Sequence, residues 1–360
     1  MTSAAGRDAD EERREVSDAV GVAVLAACAG WSLVTATVHD GRPEGVLLAV
    51  LAVAAGYAAG RICGVLLPVA APAAAALTGL ALTVTLPRLA PGPELSALLG
   101  HAGATAAMLT LSAGAACCAA WATEVPLPRL ALRLLAVTVT ITAAVVGSTT
   151  AVVTCCAVLL CSLAAGHVRH RGPALAVLAL SATLVTGLTW ALAAKALPAG
   201  LTRSLTELLT PRRVGLWRDA LGLLRRDPGV GVGPGRFGEH SPTAALSTLS
   251  DGKPHSAALQ MAAEQGAVGV LLLAAGFCWV LLALWRARRS TPVVLTAGAT
   301  LTALATLAAV GNALSFTTVS VGAGLLAGLT TARPLAGAPP LPGSPVRPDR
   351  ELRGRDRPAV

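Results

Sequence analysis

Uncharged apolar runs of 18 or more residues recur along most of this chain, and they constrain its fold more than any other feature. Each run is long enough to cross a hydrocarbon core of roughly 30 Å as a helix. Composition agrees: 54% of the 360 residues are hydrophobic and only 13% are charged, against about a quarter charged in ordinary soluble domains. The expected fold is all-α, a polytopic transmembrane helix bundle in the lipid bilayer of the plasma membrane.

About ten spans are expected, at 19–38, 45–60, 64–86, 97–121, 131–147, 149–166, 174–194, 266–285, 291–310 and 315–332. The runs flanking Gly147-Ser148 are together too long for one crossing and are read as a tight hairpin. The chain then divides into a tail at 1–17, seven helices over 18–194, a long loop over 195–265, three helices over 266–332 and a Pro- and Arg-rich tail over 333–360. Both tails read as disordered. The first 18 residues mix Arg with Asp and Glu and are not expected to be a cleavable signal. With the N-terminus inside, Arg61, the 123–130 loop, the HVRHR run at 167–171, the RARR run at 286–289 and the C-terminal tail face the cytoplasm, as the positive-inside bias requires. The long loop then faces the exterior. It carries nine Lys/Arg against six Asp/Glu, which a loop of that length tolerates on the translocated side.

The net charge of +9 is distributed over short loops, the tail and this long loop, so it does not point to nucleic acid. All eight cysteines fall in apolar segments and none forms a CxxC pair, which indicates neither a disulfide framework nor a zinc site. They read as small apolar fillers between helices.

Polar residues concentrate in 212–269. Residues 198–210 are mildly amphipathic, and Pro211 interrupts them. From Arg212 the period-3.6 recurrence of Val214, Trp217, Leu221 and Leu224 predicts a second helix, on which Arg213 and Trp217 are surface neighbours. Asp227-Pro228 ends it. An interfacial helix with its arginines on lipid phosphates is an equally good reading of these residues. The following GVGVGPGRFG turn lacks the Lys-Ser/Thr of a Walker loop and the strand–helix setting of a dinucleotide fingerprint. Its glycines suit close approach to another surface, and its backbone N–H groups could bind phosphate. Pro254 suits a first helical turn, which places His255 near a helix N-terminus, where the dipole favours neutral imidazole. A neutral imidazole can accept a hydroxyl proton as general base. A surface histidine without special role is the plainer alternative. Glu264 could pair with an arginine or help close the helix.

These strings resemble the O-antigen ligase/polymerase superfamily, membrane proteins that transfer bacterial surface glycans. The matching residues read Arg213-Val-Gly-Leu-Trp217, then Asp227-Pro-Gly-Val-Gly231-Val-Gly233-Pro-Gly235-Arg-Phe237, then His255-Ser-Ala-Ala-Leu259 with Glu264-Gln-Gly266-Ala-Val-Gly269. They cover about 60 residues, and the multi-span layout resembles the family throughout. Two departures stand out: Ser256 replaces the usual Asn, and Gly147-Ser148-Thr149-Thr150 stands where many members have Ser-Arg. The resemblance implies transfer of a glycan from a polyprenyl diphosphate to an acceptor hydroxyl on a lipid, protein or glycan, at the outer membrane face. Arg213 would hold the diphosphate, with Arg218 or Arg212 secondary, and Arg218, Arg236 or Arg88 would substitute for the missing arginine. His255 would deprotonate the acceptor. Fixed arginines can stabilise the departing diphosphate without a metal, so no metal or cofactor is expected, and no nucleic acid. Ligase and repeat-unit polymerase share this chemistry. A transporter or inactive scaffold is the reading from another class, although no span carries the buried acid or lysine typical of an ion pathway.

Overall fold

The computed structural model describes residues 2–89, 102–246 and 252–333, and within them every regular element is helical. The first seven helices are α1 (Thr2–His39), α2 (Glu44–Leu66), α3 (Ala70–Leu89), α4 (Ala102–Ala122), α5 (Pro126–Val145), α6 (Thr149–Ala165) and α7 (Arg171–Ala193). The loop contributes α8 (Ala199–Leu208), α9 (Pro211–Arg226) and the single turns α10 (Phe237–His240) and α11 (Pro242–Ala245). The chain closes with α12 (Ala257–Arg286), α13 (Thr291–Val310), a 3₁₀ turn at Ala313–Ser315 and α14 (Thr317–Thr331). Among the described residues seven helices are long and apolar enough to span a membrane, while α6, α14 and the Ala70–Thr85 part of α3 are shorter apolar stretches. Helices thus form over the described part of each of the ten runs read from the sequence. The chain is a multi-pass membrane protein.

Burial separates an inner pair from an outer ring. The apolar windows of α4 and α13 are 89% and 78% buried, against 17–22% in the other five long helices. Alanine, glycine and threonine let the neighbours of α4 approach closely. Several of the polar atoms this brings inside are paired: Thr110 with Thr154 at 2.7 Å, and Ser162 with both Trp121 and Thr296 at 3.0 and 3.1 Å. The outer helices turn leucine and valine outward, as lipid-facing surfaces do.

One crossing is closer than the sequence reading anticipated. Gly56, Gly60 and Gly64 on α2 face Gly324 and Gly328 on α14, and an added Cβ at any of the five would meet the partner helix. The four-residue spacing lines the glycines along one face of each helix, so the two backbones touch. This explains a correction. The break expected at Gly60-Arg61 does not exist, because α2 continues to Leu66 and stops ahead of Pro68, which disfavours helical backbone in the preceding residue. The hairpin at Gly147 is present, with Ser148 capping α6 through Ala151 N–H at 3.3 Å. The tail 334–360, residues 97–101 of the fourth expected span, His101 and the Arg88 side chain lie outside the described residues.

The helices alternate in direction, giving the bundle two ends. At one end Arg289 donates to Gly64 O and Ala332 O, and Arg171 to Ala287 O. At the other end the 40–43 turn meets the loop: Arg42 N–H donates to Pro234 O at 2.7 Å. The candidate site lies at this loop end.

Candidate functional site

The loop builds a core of its own. On α9, Val214, Leu216, Trp217, Ala220, Leu221 and Leu223 are buried against Leu192 of α7, Phe237 and the start of α12, through Leu259 and Ala263. A helix lying on lipid would turn that face to the acyl chains. Here the face is covered by protein, which removes the interfacial reading of α9. Trp217 is completely buried and its indole N–H has no partner among the described residues. It packs the site and does not line it.

The glycine-rich turn is fastened along the first part of α12. Val232 N–H donates to Ala263 O at 2.9 Å, Gly233 N–H to Glu264 O at 3.0 Å, and Ala267 N–H to Pro228 O at 2.9 Å. A Cβ on Gly231 would lie 2.5 Å from Ala263 O, and one on Gly266 would meet Gly229 O. Glycine is needed because two backbones are in contact there. Gly266 has φ 68 and ψ −164 and breaks α12. The backbone groups at the break are matched from outside the helix: Ala263 O and Glu264 O by the turn, Gln265 O by Trp31 of α1 at 3.0 Å, and Ala267 N–H by Pro228 O.

Glu264 explains why the turn is no phosphate cradle. Its buried carboxylate receives the backbone N–H groups of Gly235 and Phe237, with the Gln260 amide 3.4 Å away. Backbone donors that could bind an anion are thus occupied by the protein's own carboxylate. Among the described residues no arginine pairs with Glu264. Its work is to hold the turn against α12.

His255 lies before the helix, not within its first turn. Ser256 is the N-cap, accepting from Leu259 N–H at 3.5 Å, and α12 starts at Ala257. Pro254 is buried one residue further out. His255 itself has φ 53, a left-handed conformation uncommon for residues other than glycine, in which histidine is enriched. Unfavourable backbone of this kind persists where the surroundings impose it and is frequent at functional sites.

The arginines divide into three groups. Arg213 is half-buried, and burial pulls its guanidinium below its usual range. Among the described residues it has neither an ion-pair nor a hydrogen-bond partner. Arg212 is exposed at the start of α9, and Arg218 is exposed but lines a cleft with Lys195 and Arg203. Five helical residues separate Arg213 from Arg218, roughly 140° around the axis, so they present to different sides of α9. Arg236 is engaged structurally: it donates to His39 O and pairs with Glu239 at 2.9 Å, and that arginine holds the Glu239 carboxyl below its usual range. Beside it, His39 lies 3.9 Å from Asp227. Asp219, which the sequence reading passed over, accepts from Ser241 Oγ at 2.6 Å and Thr243 N–H at 2.9 Å. It fastens α9 to the segment leading toward His255. Its only signal in the sequence was a lone acid inside a basic helix. Among the described residues no group of three or more His, Cys, Asp and Glu could hold a metal ion. The positive charge of the loop is that of its Arg and Lys side chains.

Neither the curated proteins nor the solved structures contain a significant match to this chain. A protein-family model described as O-antigen ligase matches residues 134–274. That segment contains α9, the glycine-rich turn, His255, Glu264 and the break at Gly266, and over it the chain is similar to the O-antigen ligase superfamily.

Proposed function

We propose that the protein is a membrane glycosyltransferase of the ligase type. It would move a glycan from a polyprenyl-diphosphate carrier to an acceptor hydroxyl at the outer face of the membrane. The observation that carries this reading is Arg213, a half-buried guanidinium without an acidic partner among the described residues, on a helix whose apolar face is locked in place. Burying an unpaired cation is costly, and a bound anion removes the cost. A diphosphate leaving group gains negative charge in the transition state, and a prepositioned guanidinium stabilises that charge without reorganising. His255, held in left-handed backbone just ahead of α12, takes the proton from the acceptor hydroxyl as its oxygen attacks the anomeric carbon. The diphosphate departs with the electrons of the broken glycosidic bond, and the anomeric centre inverts. Arg212, exposed beside Arg213, adds positive potential, whereas Arg236 and Glu264 hold the framework.

The test is mass spectrometry of lipid-linked glycans in cells lacking the protein, rescued by wild type, Arg213→Gln or His255→Ala. Long glycans should accumulate and be cleared by wild type alone. Accumulation of single repeat units would assign a polymerase. No accumulation, or rescue by His255→Ala equal to wild type, would overturn the catalytic reading in favour of a transporter or scaffold.

A further inference from the structure

We infer that the loop holds a second anion-binding site, separate from Arg213, in the cleft between α8 and α9, and that its ligand is a phosphate ester. The cleft has a volume of about 580 Å³ and is lined by Lys195, Arg203 and Arg218, with Glu207 the one acid. Among the described residues no ion pair within 4 Å joins Glu207 to any of the three cations, and none of their side chains donates a hydrogen bond to the protein. Three cations are therefore gathered around open space with their donors unused.

Two helix ends strengthen the same field. Ala199 begins α8 and Pro211 begins α9, and both border the cleft. Neither helix has a side-chain cap or an acidic residue in its first turn. The first N–H groups of a helix lack partners inside it and carry partial positive charge, and acidic residues or caps usually answer them. Their absence leaves that charge unanswered at the start of α8, while the α9 end contributes less, because Pro211 has no N–H and Arg213 N–H donates to Thr210 O. Lys195 adds a third observation. It follows the last turn of α7 with φ 57 and donates its own N–H to Leu192 O, while Ala196 N–H reaches Ala191 O. Glycine is the usual residue at such a helix end, yet here the position carries a lysine side chain directed to the cleft. Thr202 and Thr206 donate their hydroxyl protons to backbone carbonyls. The positive groups thus determine what binds, and a phosphate ester offers oxygen acceptors with charge to match.

The site does not rest on the glycan-transfer reading, and the two can fail separately. The full chain would be placed in nanodiscs of neutral phosphatidylcholine and titrated calorimetrically with inorganic diphosphate. The double variant Lys195→Gln/Arg203→Gln should weaken one class of binding by about tenfold or more and lower the stoichiometry by one. Arg213→Gln should leave that class intact. Arg203→Lys, which keeps the charge, should retain most of it and guards against loss through misfolding. Repeating the titration with phosphatidylglycerol in the disc identifies the source. If the lipid abolishes the Lys195- and Arg203-dependent uptake, the occupant is a headgroup. If uptake persists, the phosphate arrives on a ligand from the aqueous side. Equal affinity and stoichiometry in wild type and the double variant would overturn the proposal.

Discussion

Arginine serves opposite purposes at the two ends of this bundle. At the end where the N-terminal half of α1 emerges, Arg129, Arg171 and Arg289 donate to carbonyls at the C-termini of α4, α12, α2 and α14. There the guanidinium meets the negative end of the helix dipole and carbonyls that the helix leaves unpaired. At the loop end Arg236 also closes a helix, donating to His39 O of α1, but Arg213 is half-buried on a fixed helix and among the described residues its guanidinium meets neither carbonyl nor carboxylate. One set closes the fold and the other leaves positive charge open. Position relative to helix ends, more than residue type, distinguishes stabilising arginines from candidate ligand-binding ones.

The sharpest way to break this contrast is to neutralise one arginine at each end. Arg213→Gln should lower glycan transfer by about 10²–10³-fold, the size expected for losing one preorganised charge-stabilising donor, with the amount of folded protein unchanged. Turnover in membranes, normalised to inserted protein, measures it, and near-normal turnover would remove Arg213 from the site. Arg289→Gln should do the reverse. It strips two carbonyls of a charged donor, costing about 2–3 kcal/mol of stability, while activity per folded molecule is retained. Thermal unfolding in detergent reads the loss.

A smaller effect tests the framework of the loop. Glu264→Ala leaves the N–H groups of Gly235 and Phe237 without their acceptor and should destabilise by about 1–3 kcal/mol. Glu264→Gln keeps an acceptor oxygen and should recover more than half of that. If both variants behave alike, the carboxylate does not fasten the turn. The smallest effect is expected at Arg212, which is exposed. Its change to Gln should shift activity by no more than about threefold, in line with a solvent-screened charge. A larger loss would move the centre of the anion site toward the start of α9.

The sequence made the membrane helices, the α9 helix and the Gly147 hairpin readable because each rests on local patterning: apolar length, a period of 3.6, a turn residue. It misplaced the end of α2, since a glycine next to an arginine looks like a loop until α14 is seen against Gly60. It could not separate Arg213 from Arg218, which share a helix but face different partners brought from α7 and α8. Nor could it foresee that Glu264 would occupy the donors of the glycine-rich turn, because that contact joins residues nearly 30 positions apart. His255 came out one step from its expected place, outside the helix, because Ser256 competes better for the cap.

The break at Gly266 has a consequence in time. Trp31 waits for the carbonyl of Gln265, a partner 234 residues later in the chain. At synthesis rates of about 5–20 residues per second, roughly 10–50 s separate the making of the two. Throughout that interval α1 is in place with its indole unmatched, and the turn carrying Pro228 has nothing to dock on. The loop can settle only once α12 arrives, so a half-made chain has no finished site with which to act on lipid-linked glycan already in the membrane.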